Sequence, residues 1–109
     1  MRLQNKYKLN KIHSANIQAE FYSRCKENNI ICYLEFKDKN SRFDALVFND
    51  DLQKKAIIEF KSYKDKNKKT NLFTKQILKY TTYNLNIYVI TRFEQIDEVI
   101  SKLKILLTK

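Results

Sequence analysis

The chain has 109 residues, which sets a single domain as the expectation, and at 43% hydrophobic it can bury a small core. Its formal net charge is +10, and it contains no Gly and no Pro. No apolar run reaches the length of a membrane span, so no transmembrane helix is expected. The basic N-terminus, MRLQNKYKLNKI, lacks an apolar h-region and a small-residue cleavage site, so a secretory signal is not expected and a cytosolic protein is. Cys25 and Cys32 then read as reduced core residues; without a second pair or a neighbouring histidine they make no zinc site. The abundance of Lys, Asn and Ile is that of an AT-rich genome, which inflates Lys. Even after that discount the basic balance favours a polyanion, a nucleic acid or an anionic membrane surface.

Residues 1–12 read as a basic tail or short edge segment, followed by one domain over 13–109. His13, the single histidine, reads as a surface residue. Ser14 is a reasonable N-cap for a helix to about Asn28, with Ile17, Phe21 and Cys25 as its apolar stripe. Asn28 and Asn29 supply the stop, since Asn tolerates the left-handed conformation. The run IICYLEFK over 30–37 is a strand, in which Ile31, Tyr33 and Glu35 share one face and Cys32, Leu34 and Phe36 the other. Strands follow over 42–49 and 55–61, joined by polar turns. The polar loop SYKDKNKKTN over 62–71 precedes a helix over 72–84. The β-prone NIYVIT over 86–91 is a strand inside a sheet, and a last helix spans 93–107 with Ile96, Val99, Ile100, Leu103 and Leu107 as its stripe. The order αβββαβα predicts an α/β domain with a mixed four-stranded sheet between helices. A right-handed crossover should bring the fourth strand parallel to the third.

The stretch RFDALVFNDDLQKKAIIEFK, 42–61, carries the chemistry. A turn centred between Asp51 and Leu52 sets Leu46 opposite Ile57 and Asp44 opposite Glu59, with Lys61 on the face of Glu59. Like charges opposed in a sheet are destabilising. A lysine or a divalent cation offsets them, and Mg²⁺ typically takes one or two carboxylates plus waters and phosphate oxygens. Asp44 and Glu59 are therefore candidate metal ligands. Lys61 would position the attacking water or neutralise charge developing on a phosphate. The plainer alternative is a surface ion pair between Glu59 and Lys61, worth little. Against it, both acids sit in apolar runs, FDALVF and AIIEF, where unpaired charge is expensive.

The acid on the second strand and the Glu-x-Lys on the third, within an αβββαβ order, resemble the PD-(D/E)XK nuclease superfamily. The segments NIQAEF, AIIEFK, KQILKY and NIYVITRFEQIDEVISKL are most similar to the VRR-NUC family in its short, stand-alone, phage-type form. The likeness covers roughly 14–105. It implies a restriction-endonuclease-like core with an extra C-terminal helix, and a Mg²⁺- or Mn²⁺-dependent endonuclease acting on DNA phosphodiesters. By that resemblance Glu20, Asp44 and Glu59 hold the metal, Lys61 is the catalytic lysine, and Gln76 contacts substrate or water. The chain departs from the pattern at Phe43, where the family name has Pro, and in lacking the glycine often found near the strand-two acid. The helix-one acid often precedes the Ile-Gln pair, where this chain has Ala15-Asn16, and Glu20 comes one turn later.

Read without the family, Glu20 and Gln76 are solvated helix residues, Tyr80 is core, and Glu35 lies on a solvated strand face. Lys64, Lys66, Lys68 and Lys69 follow the candidate catalytic strand and would contact phosphates in a sequence-independent, salt-sensitive way. So small a domain has little surface to encircle DNA, and a homodimer recognising a branched structure such as a four-way junction is expected. Two other readings are carried: a non-catalytic nucleic-acid-binding module on the same fold, and a protein-interaction or inhibitor role.

Overall fold

The computed structural model describes the backbone of residues 2–38, 41–61 and 85–108, and the side chains of 12–37, 41–61 and 85–108. Six elements follow in order: α1 (Arg2–Glu27), β1 (Ile31–Asp38), β2 (Ser41–Phe48), β3 (Lys54–Phe60), β4 (Asn86–Ile90) and α2 (Glu94–Leu107). The expected helix over 72–84, with Gln76 and Tyr80, lies outside the described residues. So do the loop lysines Lys64, Lys66, Lys68 and Lys69.

α1 is longer than its apolar stripe. Helix was expected from Ser14, with a basic tail before it; instead it begins at Arg2 and Ser14 is interior. The segment before Ile12 holds no Gly, Pro or β-branched residue, and Arg, Leu, Gln and Lys are good helix formers. Its charge masks that propensity. The helix stops as its sequence requires: Asn29 takes φ 57°, the N–H of Ile30 donates to the Cys25 carbonyl at 2.8 Å, and that of Asn29 to the Lys26 carbonyl at 3.2 Å. This is a Schellman ending with Asn in the place usual for Gly, and Ile30 and Cys25 share the core beneath it.

The strands lie in the order β1-β2-β3-β4, antiparallel at the first two pairings and parallel between β3 and β4. The mixed four-stranded sheet of an α/β domain is therefore present. α1 and α2 both pack on one face of it. Ile17, Phe21 and Cys25 from α1 meet Ile96, Val99, Ile100 and Leu103 from α2 over Ala45, Val47, Ala56, Ile58 and Ile90. Phe43, Leu46, Phe48 and Ile57 form a second buried cluster on the opposite face.

One detail of β1 differs from strict alternation. Phe36 packs with Phe48 and Tyr33 (ring centroids 5.6 and 6.2 Å) rather than with Cys32 and Leu34. The cause is Glu35, held at φ 51°. The β1–β2 ladder pairs Leu34 with Ala45 and Phe36 with Phe43, passing over Glu35 and Asp44. A left-handed residue inside a strand turns the side chains after it to the other face, as a bulge does. The slip reaches β2 as well, where Phe43 lies with Leu46 and Phe48 instead of with Ala45 and Val47.

Candidate active site at the ends of β2 and β3

The register between β2 and β3 is the one a turn centred at Asp51 and Leu52 dictates: Leu46 pairs with Ile57 and Ala45 with Ile58. A shift between Val47 and Phe48 brings Phe48 opposite Lys54. Asn49 then closes the turn, its Oδ1 accepting from the Gln53 N–H at 2.9 Å and its Nδ2 donating to Gln53 Oε1 at 3.0 Å.

The expected pairing of Asp44 with Glu59 does not form: beyond the Ala45–Ile58 pair the ladder gives way to a side chain. Asp44 Oδ2 accepts the backbone N–H of Phe60 at 2.9 Å. The next amide along, Lys61 N–H, points the other way and donates to the Ile90 carbonyl of β4 at 3.1 Å. The Asp44 carboxylate is thus fixed on the peptide between Glu59 and Lys61. A carboxylate bound to a backbone N–H makes one of the stronger hydrogen bonds in proteins.

Glu59 alternates with Ile58 and Phe60, so it shares the face of Ile57, away from α1 and α2. It is 0% exposed. Lys61 Nζ lies 4.0 Å from its Oε2 and is itself half-buried. Burying a carboxylate is costly without compensating charge, and a cation two residues along the same strand face supplies some. Glu59 is no surface acid, which removes the plainest alternative for the pair.

Glu20 is engaged elsewhere. Its Oε1 accepts from Arg24 Nε at 2.9 Å, and Arg24 Nη1 pairs in turn with Asp97 of α2. The hydrogen bond that Arg24 donates to Glu20 and the charge of Asp97 raise the Arg24 pKa above its ordinary value. This chain of charges ties α1 to α2. The stripe it borders, Ile17, Phe21 and Cys25, packs on the sheet face opposite Glu59. Among the described residues, no group of three or more His, Cys, Asp and Glu side chains is arranged to hold a metal ion. Asp44 and Glu59 are brought to adjacent ends of neighbouring strands; Glu20 does not join them there.

The Asp44–Phe60 bond had no signal in the sequence, because Phe43, Ala45 and Val47 alternate without a break. Gln95 was also missed. Its Oε1 accepts the N–H groups of Thr91 (2.7 Å) and Arg92 (3.1 Å), fixing the exit from β4 beside the site. A groove of 560 Å³ lies at the outer edge of β1, bordered by Tyr22, Lys26, Tyr33 and Leu34, and among the described candidate residues it touches none. No helix among the described residues is long and apolar enough to cross a membrane.

Compared with known proteins, the chain matches no family model, no curated protein and no solved structure. Its functional reading stands on the geometry of the strand ends.

Proposed function

We propose that the chain is a divalent-metal-dependent endonuclease that hydrolyses DNA phosphodiesters, in the manner of the PD-(D/E)XK nucleases its sequence resembles. The observation that carries this reading is the Asp44 carboxylate anchored on the Phe60 N–H, between buried Glu59 and Lys61. Two carboxylates at the ends of adjacent strands suit a hard cation of the Mg²⁺ or Mn²⁺ type, which takes one or two carboxylates and completes its shell with water and phosphate oxygens. Bound there, the cation would supply a Lewis acid for a phosphoryl oxygen and lower the pKa of a water. The protein's own part is orientation. The Phe60 N–H holds Asp44 in one pose, the strand holds Glu59, and Lys61 offsets charge gathering on the phosphate in the transition state.

The test is cleavage of junction, flap and supercoiled DNA with and without Mn²⁺. Metal-dependent cutting lost in Lys61→Ala is expected; metal-independent cutting, or cutting unchanged in that variant, sinks the mechanism. Faster cutting of the junction, together with a dimer by light scattering, would support the branched substrate and the homodimer.

A second reading is favoured by Glu20, which is bound to Arg24. If two carboxylates are too few, the fold serves as a nucleic-acid-binding module without turnover. Calorimetric titration with Mn²⁺ separates the two: the nuclease binds the ion in a way that Asp44→Asn and Glu59→Gln abolish, and the module does not.

A further inference from the structure

We infer that the open edge of β1 is the surface on which two copies of this chain join, pairing antiparallel across a two-fold axis at Cys32 into one continuous sheet. The inference gives the homodimer of the reading above an interface, and it stands on the strand edge alone. β1 ends the strand order, so among the described strands it has a neighbour on one side only. Cys32 and Leu34 face the helices, whereas Ile31 and Tyr33 lie with the cluster on the other face. The 560 Å³ groove is nevertheless lined by all four of these residues, with Tyr22 and Lys26 of α1 as its far wall. Successive strand residues point to opposite faces, so a groove that takes in all four runs along the edge of the strand, where the outward backbone N–H and C=O groups lie.

This edge carries none of the devices that usually keep strands apart. Residues 30–34, IICYL, hold no charge and no Pro. The device comes one residue later: Glu35, held at φ 51°, interrupts the strand, and Lys37 and Asp38 follow as charges. Pairing is thereby confined to a short uncharged window. The window also decides what fills it. Each copy carries a formal net charge of +10, so charge opposes the association of two copies except where it is missing. An acidic peptide would be held by its charge, and residues 30–34 present none to it. Lys26, the cation on the groove wall, is folded back over the Tyr22 ring, 4.7 Å from its centroid. Tyr33, 52% exposed, is the large apolar side chain that a second copy would cover.

The register follows from symmetry. A two-fold axis normal to the sheet sets equivalent faces on the same side, so opposed residues must share a face. With Cys32 on the axis, Tyr33 opposes the second copy's Ile31 and Leu34 opposes its Ile30, and every pair stays inside the uncharged window. An aromatic opposite a β-branched residue is a favourable cross-strand pair. Moving the axis to Tyr33 would set Ile31 against the bulged Glu35. Both α1 helices then lie on one face of the joined sheet and both Glu59 carboxylates on the other. The two β3 strands are five strand spacings apart, about 24 Å, so the two candidate sites share one face.

The test is sedimentation velocity of the metal-free chain without DNA. Wild type should sediment as a dimer at micromolar concentration. Tyr33→Lys, at an exposed position, should keep the fold by circular dichroism and weaken association about tenfold or more. Ile105→Lys adds the same charge at an exposed site on α2, which packs over β3 and β4 away from this edge, and should leave the dimer intact. Tyr33→Glu mixed with Tyr33→Lys should associate more tightly than either does alone, because the two side chains lie diagonally across the joint within reach of each other. A monomeric wild type overturns the inference. So do a Tyr33→Lys dimer as tight as wild type, equal weakening by Ile105→Lys, and a mixture no tighter than its parts. Because no metal is present and nothing is cut, the dimer can fail while metal-dependent cleavage survives, and the reverse.

Discussion

Asp44 Oδ2 takes the backbone N–H of Phe60 at 2.9 Å, at the step where the ladder between β2 and β3 gives out. A side chain thereby stands in for a strand partner, and the acid we propose as a metal ligand also serves the fold. The two roles separate by substitution. Asp44→Asn keeps an acceptor for Phe60 and loses the charge; Asp44→Ala loses both. Asp44→Ala should cost about 1.5–3 kcal/mol in urea unfolding, and Asp44→Asn distinctly less. DNA cleavage should vanish in both. Equal stability losses would show that the hydrogen bond contributes nothing beyond the charge.

Leu52 is strained and exposed. It sits at φ 60°, in the left-handed region, with 63% of its surface open to solvent. A leucine there costs about 1–2 kcal/mol relative to the right-handed region, and no packing offsets it. Leu52→Gly should stabilise the protein by about 0.5–1 kcal/mol, once the greater freedom of glycine in the unfolded chain is subtracted. Asp51→Gly, one residue earlier, should give no such gain. Thermal unfolding of the two variants side by side decides the matter.

The β2–β3 register was legible because the polar turn between two apolar runs leaves one symmetrical pairing, and Leu46 does meet Ile57. The end of α1 was legible for a similar reason: in a chain without glycine, two successive asparagines are the obvious place for a left-handed residue. The helical basic segment was not, because a run without an apolar stripe carries no periodicity, and propensity alone does not distinguish helix from tail. Nor was the slip at Glu35. Glutamate is not a residue that advertises a positive φ, and both neighbouring strands still alternate as written. The pairing of Glu20 with Arg24 was not legible either, since an acid beside an apolar stripe serves an ion pair with the next turn as readily as a metal.

Glu59 and Lys61 should prove coupled. Glu59 is fully buried and Lys61 Nζ stands 4.0 Å from it. Removing the cation alone leaves a buried carboxylate with less compensation, whereas Glu59→Gln removes the charge that needed it. Lys61→Ala should therefore destabilise more in the wild-type background than in Glu59→Gln. Allowing for partial solvent access at Lys61, the cycle should return a coupling of about 1–3 kcal/mol. Denaturant unfolding of the four proteins measures it, and additive effects would mean that the pair is not an ion pair in solution.

Cys25 links the core to pH. Its thiol is held well above the ordinary value of 9.0, first by hydrogen bonding with Cys32 and then by burial. Both cysteines are buried and unbridged. A folded-state pKa raised above the unfolded one means that the unfolded chain loses this proton first. The contribution to stability is therefore fully present below about pH 9 and falls as pH rises beyond it. The steepest fall for one proton is about 1.4 kcal/mol per pH unit. Urea midpoints from neutral pH into the alkaline range should drop more steeply for wild type than for Cys25→Ala, in which every other titrating group is retained. The same burial predicts that iodoacetamide leaves Cys25 unmodified in the native protein at pH 8 and alkylates it once urea unfolds the chain. Prompt labelling of Cys25 without denaturant, or parallel pH profiles for the two proteins, would show that the thiol is not shielded beneath α1.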